Sequence, residues 1–550
     1  MKLPIKSIKE FSKCTLSTEE IVNIISTKIG EVEEVTDFSK MYEGIVIAQI
    51  TKKEDHPNAD KLGVYMINIG EEKEIQVVAG DKSLKVGDKV AYITVGHIVP
   101  YSYATSQPVK IKAVNMRGIA SNGMLCSQKE LNIGPDDTHV LVLEEDAPVG
   151  VSFAQYYQFD DVVVDIENKA LTNRGDLFGI LGLAREISAA QNIPFKSPEW
   201  YLKTTSDIDV KETLPIKVDN QMQNLCPRYT CVAIKNIQIK ESPVWMKSVL
   251  IKSGIKPINN IVDISQYVMM EIGQPLHIFD YDKIKGHQVI VKTANEGTKF
   301  KFLDGIEREL SNEDLMICNV EEPMCMAGIM GGIDSGVSDN TKTIFIESAF
   351  FNPSYIRRSA RRHNLHTEAA YRYERGADYS ILNFALHRAA KLILDVSGGE
   401  ISSDIIESIG KVINNEIISF NIDKTNNFLG TELHKDNVKK ILLDLNFDLL
   451  DEKDDILTVK VPMAKVDVKQ PVDIAEELIR IAGFDKIESP KRVNYSIKPF
   501  KSQYHNFTYN LSIKLKAEGF TEIMNNSLES ENYYKQFNLF TEDEYVKVLN

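Results

Sequence analysis

Residues 56–70, HPNADKLGVYMINIG, join a turn rich in Pro, Asn and Asp to a run of alternating apolar side chains. Pro and Asn/Asp close turns, and period-two alternation marks a strand with one buried face. The pattern extends to both sides. GIVIAQI (44–50), EIQVVAG (74–80), KVAYITVG (89–96) and HVLVL (139–143) have the same character and are separated by turn signals such as KVGDK (85–89). Short strands at this spacing predict a small antiparallel barrel. VNMRGIASNGMLCSQKELNIG (114–134) reads as a loop and short helix inserted before the last strand.

Outward from the barrel, residues 1–38 read as an α/β lead-in. LTNRGDLFGILGLAREISAA (171–190) has helical apolar spacing, with a start expected at or beside Asp176. Residues 205–400 mix strands (LPIKV, RYTCVAIKNIQI, QVIVKTA, TIFIESAF) with helices (SPVWMKSVLIKSG, YSILNFALHRAAKLILDVSGG), which predicts an α+β domain. Residues 408–486 carry the strands ISFNI and LTVKVP between the helices HKDNVKKILLDLN and PVDIAEELIRIAG. The segment 495–550 opens on a long helix, YHNFTYNLSIKLKAEGF, and reaches VKVLN, read as the start of a strand. A chain of 550 residues is too long for one core, so several domains are expected.

Apolar residues make up 43% and charged residues 26%, an ordinary globular composition. Lys plus Arg is 64 against 79 for Asp plus Glu, a net −15, which argues against a general nucleic-acid binder while leaving room for a local basic face. No run approaches the roughly 18 apolar residues of a membrane span, and MKLPIKSIKEF lacks the features of a secretory signal, so a cytoplasmic protein is expected. The six cysteines are scattered. Only Cys226 and Cys231 lie close, without a downstream His/Cys pair, and reduced buried thiols are the better reading than zinc ligands.

Most of the chemistry lies in residues 254–378. His277 in GQPLHIFD, a single His among apolar neighbours, reads first as a core or turn residue. Glu347 in IFIESAF sits in an apolar strand, where an unpaired carboxylate is costly, so it should face a partner or a ligand. The Gly-rich AGIMGGIDSG permits either a close backbone approach or a plain turn. RRHNLHTEAAYRYERG gathers Arg361, Arg362, His363, His366 and Arg372 in a basic stretch, for which a solvated helix face is the plain reading. In DVKQPVDIAEELIR, Asp473, Glu476 and Glu477 share a helix face. Asp473 can act as N-cap with Glu476 completing a capping box, and hard carboxylate oxygens also suit Mg²⁺. There is no Gly-rich phosphate loop of the GxxxxGK[ST] type and no Cys/His metal set.

Taken in order, HPNADKLGVYMINIG, VNMRGIASNGMLCSQKELNIG, LTNRGDLFGILGLARE, NNIVDISQYVMMEIGQPLHIFD, AGIMGGIDSGVSDNT, RRHNLHTEAAYRYERGAD and PVDIAEELIRIAGFDKI resemble the beta subunits of bacterial phenylalanine–tRNA ligases over essentially the whole chain. The resemblance implies a multidomain α+β architecture. Its parts are an N-terminal lead-in (1–38), a tRNA-binding OB-fold barrel (39–153) and a helical linker returning to the N-terminal unit (154–204). An editing domain (205–400), a B-five-type domain (408–486) and the beginning of a class II synthetase-like antiparallel domain (495–550) follow. In the family that last domain continues and an anticodon-binding domain comes after it, so the subunit is expected to extend past residue 550.

The same resemblance implies that the subunit binds tRNA-Phe, pairs with an alpha subunit in an α2β2 tetramer that binds ATP mainly through alpha, and hydrolyses tyrosine wrongly esterified to that tRNA. A pocket shaped for phenylalanine rejects an added hydroxyl poorly, whereas a second site that hydrogen-bonds the hydroxyl selects it. Glu347 matches the carboxylate that accepts the tyrosine hydroxyl. Thr367 and Ala369 match pocket-shaping positions, His277 a residue near the scissile ester, and Asn259 or Asn260 with Gly331 would add polar and backbone contacts. No Ser/His/Asp or Cys/His arrangement is present, so a positioned water is expected to attack the ester. Asp467, Asp473, Glu476 and Glu477 match magnesium-binding acids near the alpha interface. In the barrel, His56, Asn58, Lys61, Arg117, Ser121 and Met124 fall on matching motifs, with Lys61, Arg117 and Ser121 as expected tRNA contacts.

Overall fold

The computed structural model describes all residues except 102–106, 173, 192, 194, 196–209, 211–212, 488, 490–491, 493–494, 496–501, 538–539, 542 and 549–550. The expected division at 204/205 lies outside the described residues. The chain forms two compact units, Met1–Ile487 and Glu488–Asn550.

In the first unit, a three-stranded antiparallel sheet runs in the order Lys2–Pro4, Val162–Ile166, Val32–Asp37. Its inner face meets the helices Ile5–Ser12 and Ile180–Ala190 in one apolar core with Leu3, Ile8, Val164, Leu183 and Ile187. The second helix begins at Ile180 and not beside Asp176, because Gly175–Phe178 close a 3-10 turn first and extended Gly179 is the N-cap. Gly182 lets that turn fold back: a Cβ there would stand 1.9 Å from the Asp176 carbonyl oxygen.

The barrel is a five-stranded antiparallel sheet ordered Met124–Leu125, Lys89–Ile93, Ile45–Asp55, Gly63–Asn68, Ile75–Ala79. Asn122 N donates to Gln76 O at 3.0 Å, bringing the two sheet edges almost to closure. HVLVL, expected as the last strand, forms only isolated bridges (Val90 with Val142, Ser127 with Val140). Its amides bond to Cys126 O and Lys89 O from outside the ladder, and Met124–Leu125 takes the edge place instead.

Residues 217–409 hold two five-stranded sheets and, among the described residues, a two-stranded one, Lys299–Lys301 with Glu307–Glu309. One runs His277–Asp280, Ile344–Phe350, Arg228–Lys235, Glu400–Ile401, with Ile406–Ile409 also paired to Arg228–Lys235. The other runs Lys217–Asn220, Gln288–Thr293, Leu315–Cys318, Pro323–Met326, Met330–Gly331. Alternation sorts the strand Ile344–Phe350. Ile344 and Ile346 join the core shared with helices Asn260–Ile272 and Leu382–Ser397, while Phe345 and Ala349 face the second sheet. Glu347 falls on the latter, apolar side.

Residues 417–482 form a three-stranded antiparallel sheet (Ile417–Asn421, Ile456–Lys460, Asp448–Lys453) with helices Ile422–Leu429, Lys435–Asp444 and Pro471–Ala482. Ala189 and Ala190 from the helix Ile180–Ala190 extend into its core.

In the second unit, helices Gln503–Ala517 and Glu531–Phe537 bury no residue. Tyr534 stacks on Tyr545, ring centroids 5.4 Å apart. Residues 546–548 form no strand, against the expectation for VKVLN, whose last two residues lie outside the described set. No helix among the described residues is long and apolar enough to cross a membrane.

Candidate active site

A cavity of about 450 Å³ opens beside the strand Ile344–Phe350 and is lined by His277, Gly331, Glu347, Thr367 and Ala369. Strand pairing explains the first meeting. His277 stands directly opposite Glu347, so the two side chains leave the same face of the sheet. Gly331 makes room for the imidazole, since a Cβ there would lie 2.8 Å from His277 Cε1. Thr367 is the N-cap of the helix Glu368–Tyr373: its Oγ1 accepts from Ala370 N at 3.1 Å and donates to Ile329 O at 2.8 Å. Its hydroxyl is therefore engaged with backbone, and the residue shapes the cavity wall. Met269, Leu276, Leu303 and Tyr373 make much of the rest apolar.

Glu347 is 3% exposed, and Tyr229 OH donates to its Oε2 at 2.7 Å. Oε1 accepts no hydrogen bond from a described residue. Burial pushes the carboxyl up to about 7, with the Tyr229 hydrogen bond pulling the other way. His277 is driven down to about 4 by burial, so its imidazole is neutral at pH 7, and its Nε2 has no hydrogen-bond partner. The cavity thus sets a buried carboxyl and an uncharged imidazole beside apolar walls, with Lys256, Gln266 and Glu368 also on its lining. That suits a ligand with an aromatic body and a polar tip.

Asn259 and Asn260 are not drawn into the cavity. Asn259 caps the helix Asn260–Ile272 by accepting from Ile261 N and Val262 N. Asn260 is fully buried, with Nδ2 donating to Gln238 O and Ser397 Oγ, both 2.8 Å away. Both roles are structural. Sequence reading missed Tyr229. Only the register of Arg228–Lys235 against Ile344–Phe350 brings it to Glu347.

The four acids of residues 408–486 do not form a joint ligand set, and among the described residues no group of three or more His, Cys, Asp or Glu is placed to hold a metal ion. The helix starts at Pro471, and its N-cap is Gln470, not Asp473. Asp473 is the third helical residue, and its Oδ2 accepts from Gln470 N and Lys469 N. Proline at the first helical position sets this earlier start. Glu476 is exposed while its neighbour Glu477 is buried, so the shared face splits. Burial raises Asp467. Glu477 is spent on cations: Lys465 and Arg480 reach its Oε2 at 2.8 Å and Arg174 its Oε1 at 3.4 Å. These cations hold it down to about 2 against the cost of burial.

In the barrel, His56 is buried, with Nε2 on Met116 O at 2.9 Å and Nδ1 accepting from Asn58 N. Ser121 is fully buried; its Oγ accepts from Val78 N and donates to Gly123 O. It is a brace of the barrel edge and not a surface contact. Asn58 Nδ2 donates to Arg117 O at 2.9 Å, tying the HPNAD turn to the hairpin that carries Arg117. Exposed Lys61 and Arg117 thus share one end of the barrel.

Comparison with known proteins follows the same divisions. Residues 45–152 match a tRNA binding domain, 225–398 a B3/4 domain and 418–484 a tRNA synthetase B5 domain. This series defines a tRNA-binding subunit of aminoacyl-tRNA synthetase type. Over its full length the chain is 36% identical to the phenylalanine–tRNA ligase beta subunit of Porphyromonas gingivalis and 34% identical to that of Fusobacterium nucleatum, covering 67% of each. The chain belongs to the phenylalanine–tRNA ligase beta subunit family. An N-terminal fragment of the Pyrococcus horikoshii phenylalanyl-tRNA synthetase beta subunit aligns at 18% identity and TM-score 0.30, over 59% of this chain and 88% of that one, too weakly to carry an argument.

Proposed function

We propose that this chain binds tRNA-Phe, scaffolds a catalytic alpha subunit in a cytoplasmic α2β2 assembly, and hydrolyses tyrosine misloaded on tRNA-Phe. Phenylalanine activation, with ATP and Mg²⁺, would belong mainly to the alpha subunit. Asp467, Asp473, Glu476 and Glu477 do not come together as one ligand set among the described residues, and no step below depends on a metal ion in this chain.

The observation that carries the editing reading is Glu347, buried beside the apolar walls of the cavity with one oxygen held by Tyr229 and the other without a partner. A tyrosyl side chain can enter along Met269, Leu276 and Leu303 and donate its phenolic proton to Oε1. A phenylalanyl side chain would leave that carboxyl unsatisfied, which costs about 1–3 kcal/mol. Gly331 and the N-terminus of the helix Glu368–Tyr373 stand at the ester end. Water held there attacks the carbonyl, and neutral His277 can exchange a hydrogen bond with the ester without carrying charge.

The test is hydrolysis of tyrosyl-tRNA-Phe by the purified chain, with phenylalanyl-tRNA-Phe as control. Selective loss of the tyrosyl ester is expected, and equal decay of both would leave a scaffold with an inert cavity. Co-purification with an alpha subunit tests the assembly separately. Tyr229→Phe removes the donor that holds Glu347 down, so the carboxyl should move above about 7. The pH midpoint of kcat/KM for the tyrosyl ester should shift upward with it. An unmoved midpoint would separate Tyr229 from the chemistry.

A further inference from the structure

The helix Pro353–His363, PSYIRRSARRH, carries four arginines and no acidic residue in a chain of net charge −15. Ile356, Ser359 and Ala360 are its buried face. On one flank the charge is already matched: Arg362 pairs with Glu313 and Asp314, and His363 with Asp314 at 2.6 Å. Arg357, Arg358 and Arg361 are left outside these ion pairs. They are exposed, Arg361 lies four residues from Arg357 and three from Arg358 and so neighbours both, and none of the three has an acidic partner among the described residues. The Arg358 guanidinium lies over the Tyr355 ring at 4.3 Å, setting an aromatic among the cations.

These arginines are joined to the cavity by sequence. Asn364 ends the helix in the left-handed conformation, and Leu365 N bonds back to Ala360 O at 2.8 Å. The chain then reaches Thr367, which lines the cavity, in four residues, a span of at most about 14 Å. An ester bound beside Thr367 brings with it the RNA strand to which it is attached, and that strand needs cations close by.

We propose that Arg357, Arg358 and Arg361 form a docking surface for the phosphates of the 3′ acceptor end of the RNA whose ester enters the Glu347 cavity. The assignment rests on the editing reading for its substrate and on the unmatched charge of this helix for its location. Guanidinium groups pair with phosphate oxygens by paired N–H donors, and contacts of this kind set affinity without reading sequence.

The experiment uses the full chain with Arg357, Arg358 and Arg361 all changed to alanine, which keeps helix propensity high. The probe is an acceptor-stem minihelix RNA ending in CCA, titrated between about 50 and 200 mM salt. Affinity should fall by about tenfold or more, and the slope of log K against log salt should become shallower by about 2. A triple lysine variant should keep most of the affinity. With tyrosyl-tRNA-Phe, KM should rise while kcat holds. Unchanged minihelix affinity and slope, or an unchanged KM, overturns the surface and leaves the editing reading standing. If the parent hydrolyses no tyrosyl ester while the alanine variant still loses minihelix affinity, the surface stands and the editing reading falls.

Discussion

Replacing Glu347 with alanine is expected to lower kcat/KM for tyrosyl-tRNA-Phe by about ten- to a hundredfold, the worth of a hydrogen bond to a charged acceptor. Hydrolysis of the phenylalanyl ester, which does not use this hydrogen bond, should change little. The variant also leaves the buried Tyr229 hydroxyl without its acceptor, so stability alone could confuse the result. Glu347→Gln resolves this. It keeps a carbonyl oxygen for Tyr229 but offers the tyrosine hydroxyl only a neutral partner, so selectivity should fall with folding intact. Equal rates for parent and both variants would end the role assigned to this carboxyl.

The sign of the pH dependence follows from the same burial. Glu347 is raised from 4.5 to about 7, so its folded form prefers the proton. Its contribution to stability is complete below about 4.5 and is lost as pH rises toward 7. Discrimination runs the opposite way, because the ionised carboxyl is the stronger acceptor. The site should select tyrosine better above pH 7 than below it, at some expense in stability.

The second large effect concerns residues that do not line the cavity. Arg174, Lys465 and Arg480 face Asp176, Glu186 and Glu477, three cations against three anions. Arg174, Glu186, Lys465 and Glu477 are each below 7% exposed. The network ties the helix Ile180–Ala190 to the helix Pro471–Ala482. Arg174→Met should destabilise the fold by about 3–5 kcal/mol, because it strands uncompensated carboxylates in a place water does not reach. Denaturant unfolding, followed by intrinsic fluorescence, measures it. A second change, Glu186→Gln, restores neutrality and should recover part of the loss. A single variant as stable as the parent would show the network to be energetically neutral. Glu186 and Glu477 are both lowered, Glu477 to about 2, so their contribution is full above about 4.5 and is lost as pH falls toward 2. Acid should loosen this junction over a range in which Glu347 is at its most favourable.

Much of the fold was legible in one dimension. Alternation in GIVIAQI, LGVYMINI and EIQVVAG marked barrel strands because a half-buried strand must alternate, and the helix at 471–482 announced itself through apolar spacing. Local chemistry misled where a neighbour outbid it. Asp473 is a good N-cap by type, yet Pro471 preset an earlier helical turn and made it the third residue. HVLVL has strand character, but its amides bond outside the ladder.

The sequence by itself identified Glu347 as a carboxyl in need of a partner, while His277, Thr367 and Ala369 were singled out only through the family resemblance. Only the tertiary structure decided that Tyr229 is that partner, that Asn259 and Asn260 serve a helix and a loop, that Ser121 is sealed in the barrel edge, and that Glu477 answers to Arg174. Side-chain type reports what a group requires. For Glu347 and Glu477, strand register and helix packing across more than a hundred residues choose which group supplies it, while for Asn259 and Ser121 the local path of a helix start and a barrel edge does so.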